Sequence, residues 1–245
     1  MPPTGWKAGR SAESPLGGST MGTEATRLVD EIRAQIRPVD ERILNHPYLA
    51  ALEDGRIRPE DLRTFAGQQY HIITSDLASF GRLLARHSAL PSRSFLLGLI
   101  QGEAAALEAL FKFAGALGLD QAGLENFDPI PGGHAYTAFV AWLSFHGSDA
   151  EVAAAFLVNL PAWGANCGRM SRALRQRYGL TPEQVGFFEL FAQTDPAFEA
   201  GALGVIQAGL DRGIPPARIS RAARLLQAYE LMYWDAMAEA AGVAT

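Results

Sequence analysis

Five carboxylates stand where a helix would bury them. After Pro59, the residues Leu62, Phe65, Ala66, Gln69, Ile73, Asp76, Phe80 and Leu83 follow one another at three or four positions, which puts Gln69 and Asp76 in an apolar stripe. Leu96, Leu99, Ile100, Glu103, Leu107, Leu110 and Phe111 form a second stripe in which Glu103 is the only charge, while Glu108 points to water. Phe188, Phe191, Asp195, Phe198, Glu199, Ala202 and Ile206 form a third with two acids, and Leu226, Glu230, Tyr233, Trp234 and Met237 a fourth centred on Glu230. An unpaired buried carboxylate costs several kcal/mol, so such groups must be paired, protonated or gathered around a polar cavity. Gathered acids can grip the nitrogens of a small ligand or move protons at neutral pH. Each also has a structural reading: Asp76 could bond Ser75 or Tyr70, and Glu199 could meet an arginine at a rim.

The elements that must position these residues are helices. No segment alternates like a strand, and the periodicity predicts about seven helices, over 23–36, 59–87, 92–117, 134–146, 149–177, 182–212 and 215–241. Proline followed by acids starts helices at Pro59 and Pro182, and Gly118, Gly179 and Gly213 fall where C-terminal caps belong. Two prolines and two glycines make 127–133 a loop, and Pro196 should kink the helix after Asp195. Residues 1–22, rich in Gly, Ser and Pro, read as a flexible leader before one all-α domain over 23–245.

Composition narrows the function. A net charge of -5 without a basic block argues against nucleic acid, and Arg218 to Arg224 read as the solvated face of a helix. Apolar runs are broken before the roughly 20 residues of a membrane span, and no secretory leader is visible. The single cysteine, Cys167, fits a reducing compartment, so a cytoplasmic location is expected. Apolar rows on more than one side of several helices lead to the expectation of a homodimer or homotetramer.

In order along the chain, several short elements resemble the TenA (thiaminase II) and PqqC proteins. They are Asn45-His46-Pro47-Tyr48 with the following Asp54-Gly55 and Arg58-Pro59-Glu60-Asp61, then Gln68-Gln69-Tyr70-His71, Ala135-Tyr136-Thr137, Leu160-Pro161-Ala162-Trp163, and Tyr229-Glu230 with Tyr233-Trp234. The resemblance spans about residues 24 to 241 and implies a heme-oxygenase-like helical fold. It implies that Tyr136 and Glu230 hold and protonate a pyrimidine-like ring.

Two positions depart from thiaminase II: Ala162 stands in place of its nucleophilic cysteine and Gln69 in place of the aspartate that grips the aminopyrimidine. A methyl group cannot replace a thiolate, and Cys167, five residues on, lies about 140° around the helix. From the PqqC branch the chain keeps His46 but has Gln68, Gln69 and His71 where a basic pocket is expected. Compared with a third, two-metal branch of the fold, Asp195 is kept while Phe191 and Phe198 replace histidines, and no histidine follows His146. His87 and His134 fall near helix ends, as caps or surface residues.

The expectation is an enzyme without metal or cofactor that takes a small, flat, nitrogen-containing molecule between its helices. Glu230 and Glu103 are its catalytic candidates, and Gln69, Tyr70, Asp76, Tyr136, Trp163, Asp195, Glu199 and Trp234 its binding candidates. A cysteine-free hydrolase of aminopyrimidines or their formylamino relatives, in thiamin salvage, fits best. A cofactor-free or di-metal oxidase and a non-enzymatic ligand-binding or regulatory protein are the alternatives.

Overall fold

The computed structural model describes residues 23–193 and 195–245, so the leader expected over 1–22 lies outside the described residues. The helices are α1 (Glu24–Leu44), α2 (Pro47–Glu53), α3 (Pro59–Arg86), α4 (Ser92–Ala116), α5 (Gln121–Glu125), α6 (Pro131–His146), α7 (Asp149–Arg177), α8 (Gly186–Ala192), α9 (Pro196–Asp211) and α10 (Pro216–Ala240). Among the described residues there is no strand.

The starts follow from local chemistry. Ser148 and Glu151 cap α7 reciprocally, and the Asp61 carboxylate accepts from the Arg58 backbone N–H at 3.3 Å and from its guanidinium at 2.8 and 2.9 Å. His46 caps α2 by accepting the Tyr48 N–H on Nδ1, which leaves Nε2 to donate to Asp235 at 3.1 Å. Gly118 and Gly213 take φ of +75° and +85° just past helix ends.

Six expectations need correction. Pro131, Gly132 and Gly133, expected in a loop, form the first turn of α6, where proline needs no N–H donor. Pro182 does not start a helix: it stands in a turn, and α8 begins at Gly186. Helix α1 runs through Pro38 to Leu44, because a proline forfeits one backbone bond and the Leu28, Ile32, Ile36 and Ile43 face is buried on both sides of it. Two short helices, α2 and α5, are too brief to show periodicity. The span 182–212 is not one kinked helix: α8 ends at Ala192, and Asp195 with Pro196 starts α9 afresh. Finally, α4 is long and apolar enough, with mean hydropathy 1.3, to satisfy the length and composition of a membrane span; its alanines and leucines outweigh its charges.

Helix α10 packs on α7 and α6, α3 on α4 and α6, and α7 on α8 and α9. The core divides into two apolar clusters, and the long helices pass from one to the other. One cluster holds Ile36, Phe80, Leu99, Val140, Phe156 and Leu226; the other holds Ile43, Ile73, Ala106, Ala162, Leu231 and Tyr233. Where each helix crosses, a polar residue intervenes: Asp40 on α1, Asp76 on α3, Glu103 on α4, Tyr136 and Thr137 on α6, Asn159 on α7, Gln227 and Glu230 on α10. These side chains form a polar belt across the bundle, while a second buried polar group, Ser92, Asp149 and Glu151, lies apart from it.

Candidate active site

A cavity opens inside this belt, lined by Gln69, Ile72, Ile73 and Asp76 of α3, Glu103, Tyr136, Phe156, Asn159, Leu160, Trp163, Phe191, Glu230 and Tyr233. About 50 Å³ of it is open to the centres of water molecules, enough for several waters or one flat ring. Phe156, Leu160, Phe191 and Glu103 also border a larger apolar groove, about 550 Å³ by the same measure, between α4, α7, α8 and α9. Its walls are side-chain-poor: Gly98, Gly102 and Ala105 on α4 face Pro161, Gly164 and Ala165 on α7. Glu103 sits at the neck between cavity and groove.

Glu230 is 2% exposed, and both its carboxyl oxygens are engaged. Trp234 Nε1–H donates to Oε1 at 3.1 Å, and Asn159 Nδ2 donates to Oε2. Burial outweighs these two donors and raises its pKa to about 8, with the Asp40 charge adding to the rise. Glu103 is likewise pushed to about 8 by desolvation, although part of the residue meets solvent through the groove, and it has no hydrogen-bond partner among the described residues. Asp76 is raised well above its ordinary value by burial and then by Glu103, against the Thr137 hydroxyl that donates to it at 3.4 Å. At neutral pH the cavity therefore holds carboxylic acids able to give a proton as well as accept one.

Tyr136 donates to Asn159 Oδ1 at 3.2 Å, and burial with three neighbouring acids keeps it a phenol. Gln69 Nε2 donates to Tyr233 Oη at 2.9 Å, which leaves the Gln69 carbonyl oxygen to accept from a ligand. Trp163 stacks on Phe65 with rings parallel to within 1° and their centroids 6.3 Å apart, so one wall of the cavity is held rigid.

The cavity gathers Gln69, Asp76, Glu103, Tyr136, Trp163 and Glu230 from the sequence candidates. Trp234 is fully buried behind Glu230 and supports its carboxyl instead of facing a ligand. Tyr70 does not line the cavity; it packs against Phe111 on the other side of α3. Asp195 and Glu199 are exposed, contrary to the shared buried face expected of them. Phe188, Ala202 and Ile206 of that row stay buried, but the restart at Pro196 puts both acids at the exposed start of α9, where Asp195 caps the helix through the Ala197 N–H at 2.8 Å and Glu199 pairs with Arg33 at 2.9 Å on the rim of the groove. Among the described residues no group of three or more His, Cys, Asp or Glu is arranged to hold a metal.

Sequence reasoning missed Asn159, Gln227 and Asp40. The signal for Asn159 was present, since it is the one polar residue in the buried run from Val152 to Leu157 and on to Trp163. Gln227 lies one turn before Glu230 on the same face, whereas Asp40 is hidden among the polar residues around Pro38. Ala162 is buried beside Trp163, and Cys167 is fully buried with its thiol pushed well above the ordinary value, so neither supplies a nucleophile to the cavity.

Comparison with known proteins identifies the family and the fold. A sequence model of the TENA/THI-4/PQQC family matches residues 33–186, while no curated protein matches in sequence. A TenA homologue from P. horikoshii OT3 superposes with a TM-score of 0.69 at 16% identity, over 87% of this chain and 99% of its own. A TenA homolog from Pseudomonas syringae pv. tomato gives 0.70 at 18%, over 91% and 98%. A domain of unknown function with a heme oxygenase-like fold from Shewanella denitrificans gives 0.69 at 15%, over 89% and 93%. At such identities the structural likeness speaks for the fold. With the family match covering well over half of its length, the chain belongs to the TENA/THI-4/PQQC family and has its all-α, heme-oxygenase-like fold.

Proposed function

We propose that the chain is a small-molecule hydrolase of the TenA kind that works without a cysteine, replacing the amino or formylamino group of an aminopyrimidine by water in thiamin salvage. The observation that carries this reading is Glu230: a carboxyl held by two protein donors, raised to about 8, on the wall of a cavity the size of one flat ring. As a carboxylate it takes a proton from water; as an acid it gives that proton to the departing nitrogen. In the amino case a water O–H bond breaks, a C–O bond forms, the C–N bond breaks and ammonia leaves, so the reaction balances without oxidant or reductant.

The other residues bind and orient. The free Gln69 oxygen accepts from an exocyclic amino group, the work a carboxylate would otherwise do, and Tyr136 and Glu103 meet the remaining polar edge. Trp163, Ile72, Phe156 and Phe191 supply flat and apolar walls, and the groove beyond Glu103 takes whatever the ring carries. The same reading makes the protein a cytoplasmic homodimer or homotetramer that binds neither nucleic acid nor membrane. Support for assembly comes from Trp142 and Phe145 on α6 and Leu225 and Met232 on α10, all large, apolar and exposed.

The test is release of ammonia from a panel of aminopyrimidines and of formamide from their formylamino relatives. Glu230→Gln should lower turnover by about 100-fold or more. Unchanged turnover in this variant would remove Glu230 from the chemistry, and oxygen uptake without ammonia would favour an oxidase on the same fold.

A further inference from the structure

A line of polar side chains runs from the outer helix α1 to the cavity. Asp40, partly buried on α1, accepts from Gln227 Nε2 at 2.6 Å. Gln227 is fully buried, and its oxygen accepts from Asn159 Nδ2 at 3.0 Å. The same Asn159 amide nitrogen donates to Glu230 Oε2, and the Asn159 oxygen accepts from Tyr136 Oη at 3.2 Å. Every bond in this line has a defined direction, and the direction begins at Asp40.

A carboxylate only accepts, so Asp40 draws the NH2 end of Gln227 toward α1 and leaves its carbonyl facing inward. That carbonyl in turn draws the NH2 of Asn159, which fixes the Asn159 oxygen on Tyr136. Glu230 then meets a donor at Oε2 and another, Trp234, at Oε1, so neither protein partner accepts its acid hydrogen. The hydrogen is left for whatever occupies the cavity. Were Gln227 to turn end for end, two NH2 groups would collide unless Asn159 turned as well. The turned Asn159 would offer its oxygen to Glu230, and the acid hydrogen would be spent on the protein.

We propose that Asp40 is a positioning residue for the site, acting through Gln227 and Asn159 to hold the amide orientation in which Glu230 keeps its proton available to a ligand. This rests on the reading of Glu230 as the proton-carrying group. Buried amides are costly unless satisfied, and a chain of two of them from a surface helix to one carboxyl does what an apolar packing of the same space would not.

The titratable groups that face Glu230 are Asp40 from α1, Tyr136 from α6, Cys167 from α7 and Tyr233 from α10, with Asp76 of α3 and Glu103 of α4 reaching it across Tyr136. The experiment follows the Glu230 side-chain carboxyl by carbon-13 NMR against pH in the full chain without any ligand, its signal identified by loss in Glu230→Gln. Asp40→Asn removes the charge and exchanges one oxygen for an NH2, but its remaining oxygen can still accept from Gln227, so its Glu230 midpoint should fall below that of the unaltered protein. Asp40→Leu removes charge and acceptor together; Asn159 is then free to turn, and the midpoint should lie above that of Asp40→Asn by roughly one pH unit, the worth of one donor to a charged group. Gln227→Met cuts the line while leaving the Asp40 charge, and should raise the midpoint above that of the unaltered protein even if Asp40→Leu does not fold. Equal midpoints for Asp40→Asn and Asp40→Leu, or an unmoved midpoint in Gln227→Met, overturn the proposal. Because no substrate is used, moved midpoints in a protein that releases neither ammonia nor formamide from these pyrimidines would refute the hydrolase reading and leave the positioning role standing.

Discussion

Trp234 donates its indole N–H to Glu230 Oε1 at 3.1 Å from one turn further along the same helix, so donor and acceptor are carried on a single rigid element. A donor placed this way favours the ionised carboxyl and works against burial. Trp234→Phe keeps most of the apolar volume and deletes the N–H. The Glu230 midpoint should then rise above about 8, by roughly one pH unit. Carbon-13 NMR titration reads this directly, and a midpoint that stays put would mean that solvent or another group compensates for the lost donor.

The raised carboxyls also set how stability depends on pH. Glu230 and Glu103 have pKa values near 8 in the folded protein against 4.5 ordinarily, and Asp76 is raised too. As pH rises from about 4.5 to 8 the unfolded chain releases these protons while the folded protein keeps them, so stability is lost across that window. The lowered carboxyls of Glu53 and Asp61 contribute a constant term there, being ionised in both states, and only His87, whose pKa is lowered, runs the opposite way. Tm should therefore fall between pH 5.5 and 8.5 by about 5 to 10 °C, the equivalent of a few kcal/mol for a chain of this length. Glu230→Gln should flatten the fall. A Tm that rises across the window would show these acids to be ionised in the folded protein.

Much of this was legible in the sequence, for a definite reason. On α3, α4 and α10 the apolar rows are long, so Asp76, Glu103 and Glu230 stand out as interruptions, and the structure buries the rows of α3 and α10 in the order read. The row through Asp195 and Glu199 misled because it was assembled across a helix break: periodicity counted through Pro196 assumes one axis, whereas α8 and α9 have two. The amides were invisible for another reason. Asn159 and Gln227 carry no charge, so a stripe-based reading assigns them little burial cost, and only their partners across helices reveal the line they form. The belt itself could not be read at all, since it arises from the level at which six separate helices cross.

The groove beside the cavity predicts where selectivity lies. A Cβ at Gly102 would meet no atom within 4 Å, so a side chain can start there without a backbone clash, and Gly102→Leu removes a flexible glycine from the middle of α4. Its side chain would project toward the groove that shares Glu103 with the cavity. The variant should lower kcat/KM for aminopyrimidines bearing a large substituent at least about tenfold more than for the bare ring, since tenfold corresponds to the loss of roughly two buried methylene contacts. Steady-state kinetics on paired substrates decides it. An equal effect on both would mean that substituents leave the cavity by another route.

The exposed apolar face of α6 and α10 predicts assembly. Trp142 and Phe145 are 52% and 54% exposed; Trp142 stacks on Phe139, and the Arg82 guanidinium covers one side of the Phe145 ring at 3.6 Å. Beside them lie His146, Arg221 and the Arg218–Glu151 ion pair, a polar margin around an aromatic centre of the kind that interfaces show. Light scattering should therefore give a mass that is a multiple of the 26.3 kDa chain. Trp142→Glu places a charge at the centre of the face, where desolvating it costs far more than the lost ring contributes, and should bring the mass down to that of one chain. Because the cavity is built within one bundle, the monomeric variant should keep the Glu230 midpoint of the unaltered protein; a midpoint that moved with the mass would mean that assembly reaches the polar belt through α6 and Tyr136.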